Sequence, residues 1–228
     1  MFTPARRRGV EILDDPSVDP AVRERSLTDV ARSNQLLGGL RAALLEIRDA
    51  VGELPRGATL LDVGTGLADI PCRAANECGP LTTFAVDEAR TLLTACRERV
   101  QHAVCANALA LPFRDRSIDV VICSQVLHHF EAADAERVLR EMNRVARHAV
   151  IVSDLRRSWI AMAGFWLISF PLGFHRVTRH DGTLSVLRGF TSEELAHLVA
   201  SATGQVPRVR RRLGFRLTAR WTPTARAA

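Results

Sequence analysis

The sequence predicts an α/β protein: a mostly parallel sheet with helices on both faces. Three observations predict it. Short apolar runs at 60–61, 81–86, 102–105, 118–123 and 148–152 alternate with segments of helical period. The first run ends at Asp62 and a glycine-rich turn, Gly64-Thr65-Gly66, which opens a helix. The fourth run is apolar apart from Asp119 near its start, as in a strand covered on both faces.

Each element follows in chain order. Residues 1–19 read as extended or turn structure, with Pro4, Pro16 and Pro20 keeping helix from forming before them. A helical pattern starts at Ala21, with Val22, Leu27, Val30, Ala31, Leu36 and Leu37, and breaks at Gly38-Gly39. A second helix covers about 40–54, with Leu44, Leu45, Ile47 and Val51 on its apolar side. After the glycine turn a helix is expected at about 68–78, with Pro71 tolerated in its first turn. Helices over 88–100 and 131–146 precede the third and fifth strands. Thr191 to Glu194 carry capping chemistry for a last helix that ends near Gly204. A hairpin over 206–212 and 215–221 closes the sheet at seven strands, and the tail 223–228 is expected to be loose.

Composition narrows the chemistry. The 228 residues suit one domain with a sizeable core. Net charge is +6, every basic side chain is Arg, and there is no Tyr. A general base must therefore be His, Asp, Glu or Cys. The Arg clusters at 6–8 and 210–212 are short and read as solvated faces, which disfavours nucleic acid. Five cysteines at scattered spacings fit neither a disulfide framework nor a zinc site, so burial in a reducing cytoplasm is expected. The N-terminus lacks the apolar run of a signal peptide.

The glycine turn points to its ligand by what it lacks. Asp69 stands where the dinucleotide fingerprint has its third glycine, and a carboxylate at that helix start repels a pyrophosphate. With Asp62 alongside, the turn suits a cation. Asp87, 21 residues past Gly66, stands where a carboxylate accepts both ribose hydroxyls, or else caps the next helix. The ordered series D-V-G-T-G-L-A, A-V-D, A-N-A-L-A-L-P-F and S-I-D-V-V-I-C-S-Q-V-L-H-H-F, over about 60–154, resembles the class I S-adenosylmethionine-dependent methyltransferases. The wording is similar to the branch that includes quinone C-methyltransferases and small-molecule O-methyltransferases.

The resemblance implies a Rossmann-like methyltransferase fold and S-adenosyl-L-methionine as cofactor. It places Asp62, Gly64, Thr65, Gly66, Asp87, Glu88, Asn107, Ala108, Ser124 and Gln125 around that cofactor. Two departures stand out: Ala68 near a usual third glycine, and Asn107 where the family has an acid. Residues 1–57 would form a helical lid, with Arg32 and Asn34 either facing the site or simply packing against the sheet. The methyltransferase domain would span 58–222. The Asn/Asp-Pro-Pro-aromatic sequence of nucleobase methyltransferases is absent after the fourth strand.

Chemistry is expected at that strand's end. His129, or in second place His128, would take a phenolic or enolic proton, and His180 is a further candidate base. Capping or packing is the alternative for each. Residues 159–174 are uncharged and aromatic-rich, and 156–190 reads as a small apolar cap with Phe165, Trp166, Phe170 and His180 toward the acceptor. The alternatives are a buried helix or shallow membrane contact, and the stretch is too short and too broken to span a bilayer. Asp181-Gly182 reads as a turn. The expected reaction is methyl transfer to a small apolar aromatic or polyketide-like acceptor, without a metal, by a monomer or homodimer. A nucleic-acid methyltransferase, a nicotinamide enzyme and a non-catalytic S-adenosylmethionine-binding protein are the rivals.

Overall fold

The computed structural model describes residues 3–7, 9–15 and 17–224; the last part of the expected loose tail, 225–228, and Pro16 lie outside it. Seven strands form one sheet: β1 (Thr59–Val63), β2 (Thr82–Asp87), β3 (His102–Cys105), β4 (Ile118–Ser124), β5 (Ala146–Leu155), β6 (Arg208–Arg212) and β7 (Arg216–Trp221). Their order is β3-β2-β1-β4-β5-β7-β6. The first five are parallel, and β7 runs antiparallel between β5 and β6. The chain reverses direction across the sheet between β1 and β4, which is where ligands sit in open α/β sheets. The register aligns Val63 with both Val86 and Cys123, and Asp87 with Cys105, so the carboxyl ends of four strands share one edge.

Alternate strand residues feed two apolar layers. Leu61, Val63, Val121, Val150 and Val152 pack against α5 (Ala132–Val145) and α8 (Ser192–Thr203). Leu60, Val120, Ile122 and Ile151 pack against α2 (Gly39–Val51) and α3 (Asp69–Glu77). α1 (Pro20–Leu36) starts with Pro20 in its first turn, capped by Asp19, so Pro20 opens the helix. α4 (Arg90–Cys96) is shorter than the pattern implied, because Arg97–Arg99 tighten into a 3-10 turn.

Between β5 and α8 lie α6 (Trp159–Ser169) and α7 (Arg176–Arg188). Here the structure corrects one reading: Asp181-Gly182 lies inside α7 and is no turn. The Asp181 carboxylate accepts from the backbone N–H groups of Ile12 and Leu13, and a Cβ at Gly182 would sit 2.3 Å from the Phe165 ring. This glycine is there for a close helix–helix approach. The arginines of β6 are also not simply a solvated face. Arg210 and Arg212 pair with the buried Glu46, and Arg210 also with Asp49. Burial opposes ionisation of Glu46, and Thr218, Arg212 and Arg210 overcome it, so its carboxyl lies below the usual range.

Candidate active site

Two adjoining hollows open at the carboxyl edge of the sheet. The first, of about 170 Å³, is bordered by Asp62, Gly64, Thr65, Gly66, Ser124 and Gln125, and by one face of α1. Gly64 has φ +73°, and a Cβ there would strike Val126 at 2.5 Å. Gly66 has φ +56° and open space where a Cβ would project, which leaves its backbone approachable. Asp62 is fully buried. One carboxylate oxygen accepts from Thr65 Oγ1 at 2.8 Å, and Oδ1 has no partner among the described residues. Burial raises its carboxyl to about 7, with Asp87 and Asp69 adding to the effect against the Thr65 hydrogen bond. Asp87 accepts from Gly66 N–H and from Ala89 N–H, both at 2.9 Å, so it joins the glycine turn to the next helix start. Asn107 accepts from Leu109 N–H and reaches Glu88 at 3.5 Å, so part of its hydrogen-bonding capacity shapes its own turn. Glu88, Asn107 and Ala108 follow the ends of β2 and β3, beyond the lining of this hollow.

The second hollow, of about 370 Å³, lies between α1, α6, α7 and the ends of β4 and β7. Val30, Asn34 and Gln125 border both hollows. Its apolar wall includes Leu155, Ile160, Phe165, Ile168 and Val186. Its polar residues include Glu11, Gln125, His128, His129 and Arg216. His128 is buried, with Nδ1 at 2.7 Å from Asp154 Oδ1. Burial opposes ionisation of Asp154, but the His128 ring and the Leu155 N–H stabilise the anion and hold its carboxyl below the usual range. An ionised Asp154 only accepts, so in the neutral ring Nδ1 carries the proton and Nε2 holds the lone pair. That Nε2 has no partner among the described residues. The His129 ring lies tilted at 32° against that of His128, with centroids 4.3 Å apart. Burial lowers its pKa to about 3, helped by His128 and Arg188, so its ring is neutral and a poor proton acceptor at pH 7.

The structure gathers six of the ten expected cofactor residues around the smaller hollow, leaves Asp87, Glu88, Asn107 and Ala108 outside its lining, and separates the acceptor candidates. Phe165 lines the larger hollow. Trp166 and Phe170 do not; each is 49% exposed on the outer face of α6. His180 is also absent from the lining; its ring is largely exposed and bonds to Asp181. Of the lid residues, Asn34 borders both hollows, while Arg32 reaches out to the Leu172 carbonyl. Glu11, Asp154 and Arg216 were not singled out by any motif. Asp154 ends an apolar strand, a signal of the same kind as Asp62 and Asp87; Glu11 and Arg216 carry none. Glu11, His128 and His129 present possible metal ligand atoms within 4.8 Å of one another. Glu11 already accepts from Ser185 and Arg188, and the Arg188 guanidinium opposes a cation there.

Residues 61–152, well under half of the chain, match a sequence family described as a methyltransferase domain. The fold is that of S-adenosylmethionine-dependent methyltransferases. A tRNA (carboxymethyluridine(34)-5-O)-methyltransferase of Xenopus tropicalis is 34% identical over 123 residues, covering 54% of this chain and 18% of that protein. The Mus musculus enzyme of the same description is 37% identical over 90 residues, 38% of this chain and 13% of that one. This chain therefore spans under a fifth of the length of either relative. Among solved structures, an S-adenosylmethionine-dependent methyltransferase from Aquifex aeolicus aligns with TM-score 0.62 at 17% identity, covering 91% of this chain and 100% of that one. Magnesium protoporphyrin IX methyltransferase from Synechocystis PCC 6803, solved with S-adenosylmethionine, aligns with TM-score 0.56 at 13% identity, covering 93% and 88%. These likenesses are of fold. The smaller hollow fits S-adenosylmethionine: the orphaned Asp62 oxygen would meet its cationic methionyl end, and the open space at Gly66 would admit it against the backbone.

Proposed function

We propose that this methyltransferase acts on a small apolar aromatic or polyketide-like acceptor, at a phenolic oxygen or an activated ring carbon, with His128 as general base. One observation carries the reading. Five buried side-chain polar atoms lack a partner among the described residues, and three of them, Asp62 Oδ1, Ser124 Oγ and His128 Nε2, lie along the carboxyl edge. Buried polar atoms are normally satisfied, so orphans gathered at one edge mark where ligands complete the bonding.

S-adenosylmethionine supplies a methyl group on a sulfonium that is already a good leaving group. The chain has to align the acceptor and take its proton. His128 Nε2 accepts that proton, and Asp154 holds the ring in the productive tautomer and stabilises the imidazolium. The apolar wall keeps water from the reacting atoms. His129, the first choice from sequence, gives way to His128 because it has no carboxylate on its ring at hydrogen-bond distance and is held neutral by burial.

The relatives' names favour a second reading, an RNA acceptor, as does the net charge of +6. Against it, Arg210 and Arg212 neutralise Glu46 and Asp49, and the larger hollow is mainly apolar. Action in the cytoplasm is supported by five unpaired cysteines, and among the described residues no helix is long and apolar enough to cross a membrane.

Turnover with labelled S-adenosylmethionine and a panel of phenols and naphthols tests the proposal. Methylated product that disappears in His128→Ala, with S-adenosylhomocysteine still bound, is the expected result. Tight, steeply salt-dependent binding and methylation of RNA would replace it with the second reading. Cofactor binding with no turnover on any acceptor would leave a binding protein.

A further inference from the structure

Three arginines of the described chain are buried: Arg157, Arg188 and Arg216. Two have a carboxylate partner, Glu194 at 2.5 Å for Arg157 and Glu11 at 3.3 Å for Arg188. Arg216, only 3% exposed, has no carboxylate within ion-pair distance among the described residues. Its Nη1 donates to Gln125 Oε1 at 2.7 Å and its Nε to the Leu37 carbonyl at a weak 3.5 Å; both acceptors are neutral. Asp154 is the one anion whose field reaches it, and that carboxylate is engaged by His128 and the Leu155 N–H. An isolated buried charge is costly unless something pairs with it.

The guanidinium is held in place by its neighbours. A Cβ at Gly39 would lie 3.5 Å from Arg216 Cζ, 2.9 Å from Gln125 Nε2 and 3.4 Å from Asn34 Oδ1, so the end of α1, the start of α2 and the end of β4 pin it together. Gln125 holds φ +56°, a strained backbone at the junction of the two hollows. Arg216 lines the larger hollow and not the smaller one, and it shares that hollow with Glu11, Gln125, His128, His129 and a mainly apolar wall.

We propose that Arg216 is the receptor for a carboxylate on the acceptor, so that the substrate class is an apolar aromatic acid. The inference rests on the methyl-transfer reading and deepens it. A planar guanidinium fork matches the two oxygens of a carboxylate. A phosphate dianion would set two charges against one. The carboxylate anchors one end of the acceptor near Gln125 while the remaining wall holds its apolar body.

Calorimetric titration of the full chain saturated with S-adenosylhomocysteine tests this, using 2-naphthoate, 2-naphthamide and 2-naphthol as probes. We expect 2-naphthoate to bind at least about tenfold tighter than the isosteric amide, a margin typical of a buried charge pair. Arg216→Met should erase that margin and leave S-adenosylhomocysteine affinity within about threefold, since a purely structural arginine has no reason to select between the two ligands. Arg216→Lys, which keeps the charge, should retain part of the preference and guards against a variant that fails to fold. Equal affinity for the pair, no binding of 2-naphthoate, or a preference that survives Arg216→Met would overturn the proposal. So would a large loss of S-adenosylhomocysteine affinity in Arg216→Met, which would assign the guanidinium to the cofactor's own carboxylate. If the wild-type chain binds no S-adenosylhomocysteine at all, the methyl-transfer reading itself falls; binding without acid preference sinks only this inference.

Discussion

Asp62 is the residue whose chemistry speaks most directly to the ligand. Its folded pKa of about 7 lies above the ordinary 3.8. Between those values the folded state holds the proton more strongly than the unfolded state. The group's contribution to stability is therefore fully present below about 3.8 and is lost as pH rises through 7. A cationic ligand reverses the balance by favouring the carboxylate. S-adenosylmethionine affinity should then rise by up to roughly tenfold per pH unit below 7 and level off above it. Calorimetry at pH 6, 7 and 8 would check this, and Asp62→Asn should flatten the profile. The histidines make a paired prediction. His128→Ala should lower turnover by about 10²- to 10⁴-fold with the cofactor still bound. His129→Ala should leave the shape of the pH–rate profile unchanged between 5 and 8, because a ring with pKa about 3 does not titrate there. At this scale the glycine turn and its acidic neighbours were legible, since Asp62, Gly64, Gly66 and Asp87 sit at fixed offsets from strand ends. Choosing between adjacent histidines was not. That choice depends on Asp154, 26 residues away across the β4–β5 pairing.

Among the elements, the glycine turn and the α6–α7 pair show how local sequence meets tertiary demand. Ala68 stands before α3 with φ +58°, a left-handed conformation that costs a non-glycine residue about 1 kcal/mol. Its side chain is fully buried, so the strain is tolerated by packing. Ala68→Gly should relieve part of it, changing stability by less than about 1 kcal/mol in either direction once the added freedom of the unfolded chain is counted. Gly182→Ala should behave oppositely. The Phe165 ring must move from a 2.3 Å overlap, at a cost of about 1–3 kcal/mol, and the acceptor hollow should lose affinity before the donor crevice does. Thermal unfolding and S-adenosylhomocysteine titration of both variants separate the two effects. The strands and most helices were legible because their periods are clean. α7 was not: its apolar residues follow no single stripe, and Asp181-Gly182 has the composition of a turn. Only its packing against Phe165 and the 12–13 backbone explains that pair.

At the scale of the molecule, the acceptor hollow opens beside a bare apolar surface. Trp159, Ile160, Trp166, Leu167, Ile168 and Phe170 are all exposed on or next to α6, and Ile160 and Ile168 also line the hollow. Arginines flank the patch: Arg25 reaches the Gly173 carbonyl, Arg32 the Leu172 carbonyl, and Arg179 lies 4.5 Å over the Phe170 ring. Aromatic side chains fringed by cations suit the surface of an anionic bilayer. Vesicles containing phosphatidylserine should retain the chain, neutral phosphatidylcholine vesicles should retain less, and the triple substitution Trp166→Ser, Leu167→Ser, Phe170→Ser should abolish retention. Retention that ignores all three substitutions would remove the patch from any such role. The uncharged run 159–174 was visible in the sequence, but which of its faces turns inward was not, because almost every position is apolar.

The carboxylate-lined glycine turn should receive a cationic adenosyl donor. Side-by-side calorimetry of the wild-type chain and Asp62→Asn with S-adenosylmethionine, S-adenosylhomocysteine and NAD⁺ tests it most directly. One-to-one binding of both adenosyl ligands, a marked loss for S-adenosylmethionine in the variant, and no heat with NAD⁺ are expected. Tight binding of NAD⁺ with no response to either adenosyl ligand would contradict it.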